Sequence, residues 1–294
     1  MPRTTIRTFR VRYYECDPNG HLSNTHYVRY MQETAFDASA AAGFDVKRYA
    51  EMGQIWLVRR TDIEYLHPLQ YNDQVSIKTW VVDFQKASSR RAYEFYLEDE
   101  KTLAAKAFTD WVFVDTQTLR PTPIPPEMHQ GFFPEGIPAS FPEREKFPSL
   151  PPDPEEVFRT RRSVEWKDLD TAALVNNPCY LEFAAEAGFL AIAKFKWPWQ
   201  RMFAAGFAIL LRKIQVQYLS PARYGDEIEI ATWVSGVRRA TATRHYVITR
   251  CSDGGVLCKI HTLGVWVDLK TGMPVRIPEI MLEDFVRNIS KGVD

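Results

Sequence analysis

The chain has 294 residues, 45% of them hydrophobic and 25% charged, the proportions of an ordinary folded protein. Its 37 Lys+Arg balance 37 Asp+Glu for a formal net charge of zero, which argues against nucleic-acid and membrane-surface roles that call for a basic excess. No apolar run nears the roughly 18 residues of a membrane helix; Ala204–Leu211 stops at eight.

The N-terminus has no apolar signal core, and a cytoplasmic protein is expected. Cys16, Cys179, Cys251 and Cys258 form no CxxC pair and read as reduced thiols. A strand over Arg7–Glu15 leads into a polar loop and a helix of about eighteen residues, capped by Asn24. Tyr27, Tyr30, Met31, Ala35 and Ala38 recur there at helical spacing. Four strand-like runs follow near 55–66, 73–84, 89–98 and 103–115, rich in β-branched and aromatic residues. Pro121–Pro154 then holds eleven of the nineteen prolines. Proline removes amide donors and fixes φ, so an extended connector is expected there, neither helix nor sheet.

Beyond that segment the pattern starts again. A strand over Thr160–Asp168 precedes a helix opening at Asn177-Pro178, an N-cap followed by the proline favoured at a first helical position. Tyr180, Phe183, Ala184, Ala187 and Ala191 repeat the apolar stripe, and strand-like runs return near 208–219, 226–237, 242–251 and 256–268. A single offset of 153 residues superposes the halves: residues 53–81 and 206–234 are identical at 12 of 29 positions. Chance would give about two, at roughly 6% per position. The chain is therefore a duplicated α+β domain, each copy one long helix wrapped by an antiparallel meander. The expected boundaries are 1–130, a proline-rich linker over 131–158, and 159–294.

Chemistry concentrates in the loop before the first helix, Glu15-Cys16-Asp17-Pro18-Asn19-Gly20-His21-Leu22-Ser23-Asn24. Taken singly, Asp17 reads as a turn cap, Gly20 as a positive-φ residue and His21 as solvent-facing. Together they place a carboxylate, an amide and an imidazole beside a helix N-terminus, whose free N–H groups attract an oxyanion. That is the minimum kit for acyl-transfer hydrolysis.

The pattern Asp17-x-x-Gly20-His21-x-x-Asn24-x-x-Tyr27, then Glu33, resembles the signature of the hotdog-fold thioesterases, the hydroxybenzoyl-CoA thioesterase-like group in particular. The second copy, with Trp166-Lys167-Asp168-Leu169-Asp170 and Asn176-Asn177-Pro178-x-Tyr180, resembles the acyl-ACP thioesterases of plants and bacteria, themselves two fused hotdog domains. The resemblance implies a tandem pair of hotdog domains forming an intramolecular pseudo-dimer, with sites at their seam. It also implies an acyl-CoA or acyl-ACP substrate. The Asp-x-Asn-x-His plus Glu set of acyl-ACP thioesterases falls on Asp17, Asn19, His21 and Glu33. Copy two keeps Asp170, Asn177 and Glu186, but Ala172 and Leu174 replace the amide and the imidazole. This departs from the plant enzymes, whose working set lies in the second domain, and implies one competent site per chain.

On this reading Asp17 activates water or attacks the carbonyl, and amides at the Asn24 helix start, or those of the other domain, hold the oxyanion. His21 and Asn19 position the thioester or water, with Glu33 orienting them. Gly20, Asn24, Tyr27, Arg59 and Arg60 are the expected substrate contacts. Arg59-Arg60, Arg90-Arg91, Arg212-Lys213 and Arg238-Arg239 read either as phosphate binders or as solvated strand edges. No cofactor is expected, and the scattered, unpaired histidines make a metal site unexpected. His26 reads as a residue beside the site or an exposed turn residue, and Cys179 as a minor candidate thiolate. Two other readings stay open: an enoyl-thioester hydratase, whose histidine falls five residues after its aspartate instead of four, and a non-catalytic acyl-binding module. Whether tandem chains also pair as a homodimer is open as well.

Overall fold

A computed structural model describes residues 1–98, 101–136, 138, 140, 141 and 143–291. Positions 137, 139 and 142 of the expected linker, and 292–294 of the second domain, lie outside the described residues. The chain divides into two compact units, Met1–Lys146 and Phe147–Asp294.

In the first unit β1 (Thr4–Arg10) precedes α1 (Asn24–Ala41) and a short α2 (Val46–Met52); β2 (Gln54–Tyr65), β3 (Gln74–Phe84), β4 (Ser88–Leu97) and β5 (Leu103–Asp115) follow. The strands are all antiparallel, in the order β1-β3-β4-β5-β2. Only β3-β4-β5 is a meander. The expected meander fails at β2, which pairs the far side of β5 from Gln54↔Asp115 to Tyr65↔Ala105. β1 takes its place beside β3.

The α1 stripe is buried as the spacing predicts: Tyr27, Tyr30, Met31, Ala35 and Ala38 all lie in the core. Phe9 of β1 stacks on Tyr30 with ring centroids 4.2 Å apart, fastening helix to sheet. Below this contact Phe44, Tyr49, Phe84, Phe113, Met128 and Phe132 form a second apolar cluster.

The second unit repeats the order with α4 (Asn177–Lys194), α5 (Trp199–Ala204), β6 (Phe158–Ser163), β7 (Phe207–Tyr218), β8 (Glu227–Ser235), β9 (Thr241–Arg250) and β10 (Val256–Asp268). Its sheet runs β7-β10-β9-β8-β6. Close packing is visible at Gly188 of α4, where an added Cβ would stand 2.6 Å from the Tyr246 hydroxyl.

Three expectations need correction. The first strand of each copy ends early, because residues 13–15 and 166–168 form single 3-10 turns. The Glu15 carboxylate accepts the Arg12 amide at 2.8 Å and Asp168 accepts the Glu165 amide at 2.9 Å, closing each turn. Asn24 and Asn177 are first helical residues instead of caps; Ser23 and Asn176 hold the cap positions, without a side-chain cap bond. The proline-rich segment also contains a helix, α3 (Pro126–Phe132), which buries Met128 and Phe132. Proline at a first helical position starts a helix as readily as it breaks one. The offset carries α3 onto α6 (Glu279–Phe285), which buries Met281 and Phe285.

Candidate active site

The loop between β1 and α1 is organised around one side chain. Asp17 Oδ1 accepts the amide of Asn19 at 2.8 Å and that of His21 at 3.2 Å. Oδ2 accepts only the longer 3.3 Å bond from Asn19 Nδ2, which leaves lone pairs free on that oxygen. The Asp17 amide donates to the His21 carbonyl at 2.8 Å, and the Gly20 amide to the Asp17 carbonyl at 2.9 Å. His21 also bridges to Gln70, and Leu22 donates to the Leu69 carbonyl at 2.7 Å. The loop is thereby pinned to the turn before β3. Asp17, Asn19 and His21 are all half-buried, so the cluster is held yet reachable.

Gly20 serves the backbone, at φ +79°, a region costly for other residues. The equivalent Ala173 already adopts φ +57°, and a Cβ at Gly20 meets nothing within 4 Å. Gly20→Ala is therefore expected to cost at most about 1 kcal/mol, read as a small drop in the urea midpoint. A loss of several kcal/mol would show that the loop cannot hold alanine as its copy does.

The structure does not bring Glu33 to this cluster. Nine residues along α1 place it about 14 Å from Asn24, on the exposed face, where it pairs with Arg7 at 3.3 Å. Tyr27 is a core residue, its ring 4.9 Å from that of Tyr65 and buried enough to push its hydroxyl pKa up. Arg60 is buried and committed: it holds Asp62 through two bonds of 3.0 and 2.6 Å and donates to the Glu145 carbonyl. It is thus not available as a free phosphate contact. Arg59 is exposed on β2. Arg90 is likewise bound to Asp110 by two bonds of 2.7 and 2.8 Å.

In the second unit Asp170 repeats the backbone geometry, accepting the Ala172 amide at 2.8 Å. Burial pushes its carboxyl up, against the Ala172 and Leu174 amides that pull it down. Leu174 is buried where His21 is half-exposed, and Glu186 is exposed on α4. The Asn177 carbonyl accepts the Tyr218 hydroxyl at 3.3 Å. The Asp turn alone thus needs no catalytic role; the polar neighbours distinguish the first copy.

His26 sits half-buried on the first turn of α1 with Nδ1 sealed from solvent and without a hydrogen-bond partner. Burial, then the Arg29 charge, lowers its pKa despite Glu15, so it stands neutral beside the helix start. Burial also raises the Cys16 thiol, with Asp17 adding to it. Cys179 lies buried in α4, which removes support for a thiolate nucleophile. Among the described residues no helix is long and apolar enough to cross a membrane. No cluster of three or more His, Cys, Asp or Glu suited to a metal occurs among them either.

Comparison with known proteins fits this architecture. Residues 11–132 and again 164–285 match the thioesterase-like superfamily. The chain belongs to that superfamily, twice over. Its two units are tandem hotdog domains. It is 26% identical to a chloroplastic acyl-[acyl-carrier-protein] hydrolase of Cuphea viscosissima, over 62% of this chain and 46% of that one. The chain thus spans about half the length of such plant relatives. An acyl-CoA thioester hydrolase of Escherichia coli O157:H7 is 26% identical over 44% of this chain and 96% of its own. Among solved structures, the 12:0-ACP thioesterase of Umbellularia californica shares the fold at a TM-score of 0.72 with 19% identity. That match covers 90% of this chain and 94% of that one. An acyl-ACP thioesterase of Bacteroides thetaiotaomicron gives 0.68 with 17% identity, covering 89% and 97%.

Proposed function

We propose that this chain hydrolyses an acyl thioester, on coenzyme A or acyl carrier protein, at the Asp17 loop of its first unit. The observation that carries this reading is the Asp17 carboxylate, anchored through Oδ1 by two amides, with Oδ2 holding only the longer Asn19 side-chain bond. Superfamily membership supports the reaction class.

Asp17 takes a proton from water as that water adds to the thioester carbonyl. The tetrahedral intermediate carries an oxyanion, which the first-turn amides of Asn24 and Thr25 receive, since no intrahelical acceptor exists for them. Collapse breaks the C–S bond, and the departing thiolate takes the proton from Asp17, which returns to the carboxylate. Asn19 and His21 position water and carbonyl; Glu33 has no part in this set. Asp170 repeats the carboxylate without the polar side chains at the positions of Asn19 and His21 and is read as a turn residue. The competing route is attack by Asp17 itself through an anhydride.

A thiol-release assay across acyl-CoA and acyl-ACP chain lengths tests the reaction. In a single turnover in ¹⁸O water, label enters Asp17 only where water opens an anhydride at the Asp17 carbonyl, so labelled Asp17 would establish the anhydride route. Absence of thiol release from every thioester would overturn the reading.

A further inference from the structure

Two aromatic pairs stand in solvent where apolar rings would ordinarily be covered. In the first unit Tyr13 is 80% and Tyr71 is 52% exposed, and their rings meet edge to face at 5.8 Å. Tyr13 belongs to the 3-10 turn whose carbonyl accepts the Cys16 amide at 3.2 Å, one residue before Asp17. Tyr71 follows Gln70, the residue bridged to His21. The pair therefore flanks the proposed hydrolytic loop.

The duplicate retains the rings. Trp166 and Tyr224 occupy the equivalent positions, 79% and 65% exposed, with centroids 6.2 Å apart. What differs is charge. The first unit has exposed Arg10 and Arg12 in the residues just before Tyr13; Arg12 donates to the Tyr14 hydroxyl at 3.1 Å and pairs with Glu15 at 3.4 Å. The second has Ser163 and Glu165 at those positions, Lys167 paired with Glu165 at 2.7 Å, and one exposed arginine, Arg223, preceding Tyr224. The first unit thus places open aromatic faces and two exposed arginines next to the complete Asp17 loop.

A flat heteroaromatic ring carrying phosphates matches that combination: rings stack on open aromatic faces, and arginine grips phosphate oxygens. We propose that Tyr13 and Tyr71, with Arg10 and Arg12, dock the adenine nucleotide end of coenzyme A while its thioester reaches Asp17. This rests on the hydrolase reading for its substrate but not for its binding test. An acidic carrier protein would be drawn by the arginines, yet it gives no reason for a naked ring pair beside the Asp17 loop.

The experiment compares the wild-type chain with Tyr13→Ala/Tyr71→Ala and, separately, Arg10→Ala/Arg12→Ala. Calorimetry with coenzyme A alone is expected to show about 10-fold weaker binding in either double variant, from lost base stacking in one and lost phosphate contacts in the other. In turnover, KM for an acyl-CoA rises by a similar factor with kcat little changed. KM for the same acyl group on N-acetylcysteamine, which lacks the nucleotide, stays put. Unchanged coenzyme A binding would overturn the proposal whether or not the chain hydrolyses anything. So would equal KM shifts on both thioesters, or a shift confined to acyl-ACP. Wild type that binds coenzyme A through these residues without releasing thiol would sink the hydrolase reading alone.

Discussion

Asp17→Asn is expected to lower kcat for thioester hydrolysis by about 10²–10⁴-fold, the usual cost of losing a positioned general base. The substitution is informative because asparagine keeps a side-chain oxygen able to accept the Asn19 and His21 amides, so the turn survives while the charge and basicity go. Asp170→Asn makes the same chemical change in the same backbone geometry. It is expected to leave kcat within a few-fold, since Ala172 and Leu174 offer no polar side chain to position water or thioester. Comparable losses in both variants, with both folded by circular dichroism, would show that the Asp turn matters for stability and not for catalysis.

The duplication made most of the fold legible. One offset located both helices, and the apolar spacing named their buried stripes correctly because helical period and burial are directly linked. Strand existence was readable from β-branched runs, but strand order was not. Nothing local in Gln54–Tyr65 says that its partner is β5, which follows about forty residues later, instead of the next strand in sequence. The helix α3 was hidden by proline content, although its copy α6 has no such proline excess. At the site, Asp17, Asn19 and His21 were legible because one short loop contains them all. Glu33 and Arg60 were assigned by pattern; helix phase and the Asp62 partnership, visible only in three dimensions, place them elsewhere. Burial of Glu15, which accepts the Tyr30 hydroxyl at 2.5 Å, gave no sequence signal at all.

A pair of histidines in the second unit leads to a prediction of comparable size for stability. His245 and His261 face each other across β9 and β10 with their Nδ1 atoms 2.5 Å apart, and His245 Nε2 meets Ser235 Oγ at 2.7 Å. Both rings are buried, and Phe147 lies over His261 with centroids 4.9 Å apart. Contact at that distance takes one proton between the two nitrogens, with one ring donating and the other accepting; a proton on both would set two N–H groups against each other. Burial is the main cause that holds both far below the ordinary histidine value, with His261 and Arg244 acting further on His245, and Lys259 on His261. The unfolded chain takes up protons as pH drops below about 6.5 while the folded chain resists, so stability falls with falling pH through that range. At 1.36 kcal/mol for each pH unit, the loss by about pH 5 is about 2 kcal/mol for each imidazole that stays neutral. The first unit shows what removes this sensitivity, because it carries Ala92 and Phe108 at the matching positions. Urea denaturation near neutrality and near pH 5 should therefore show a markedly smaller acid loss in His245→Ala/His261→Phe than in wild type. An equal loss in both would place the acid sensitivity in the carboxylates and leave the histidine pair without a part in it.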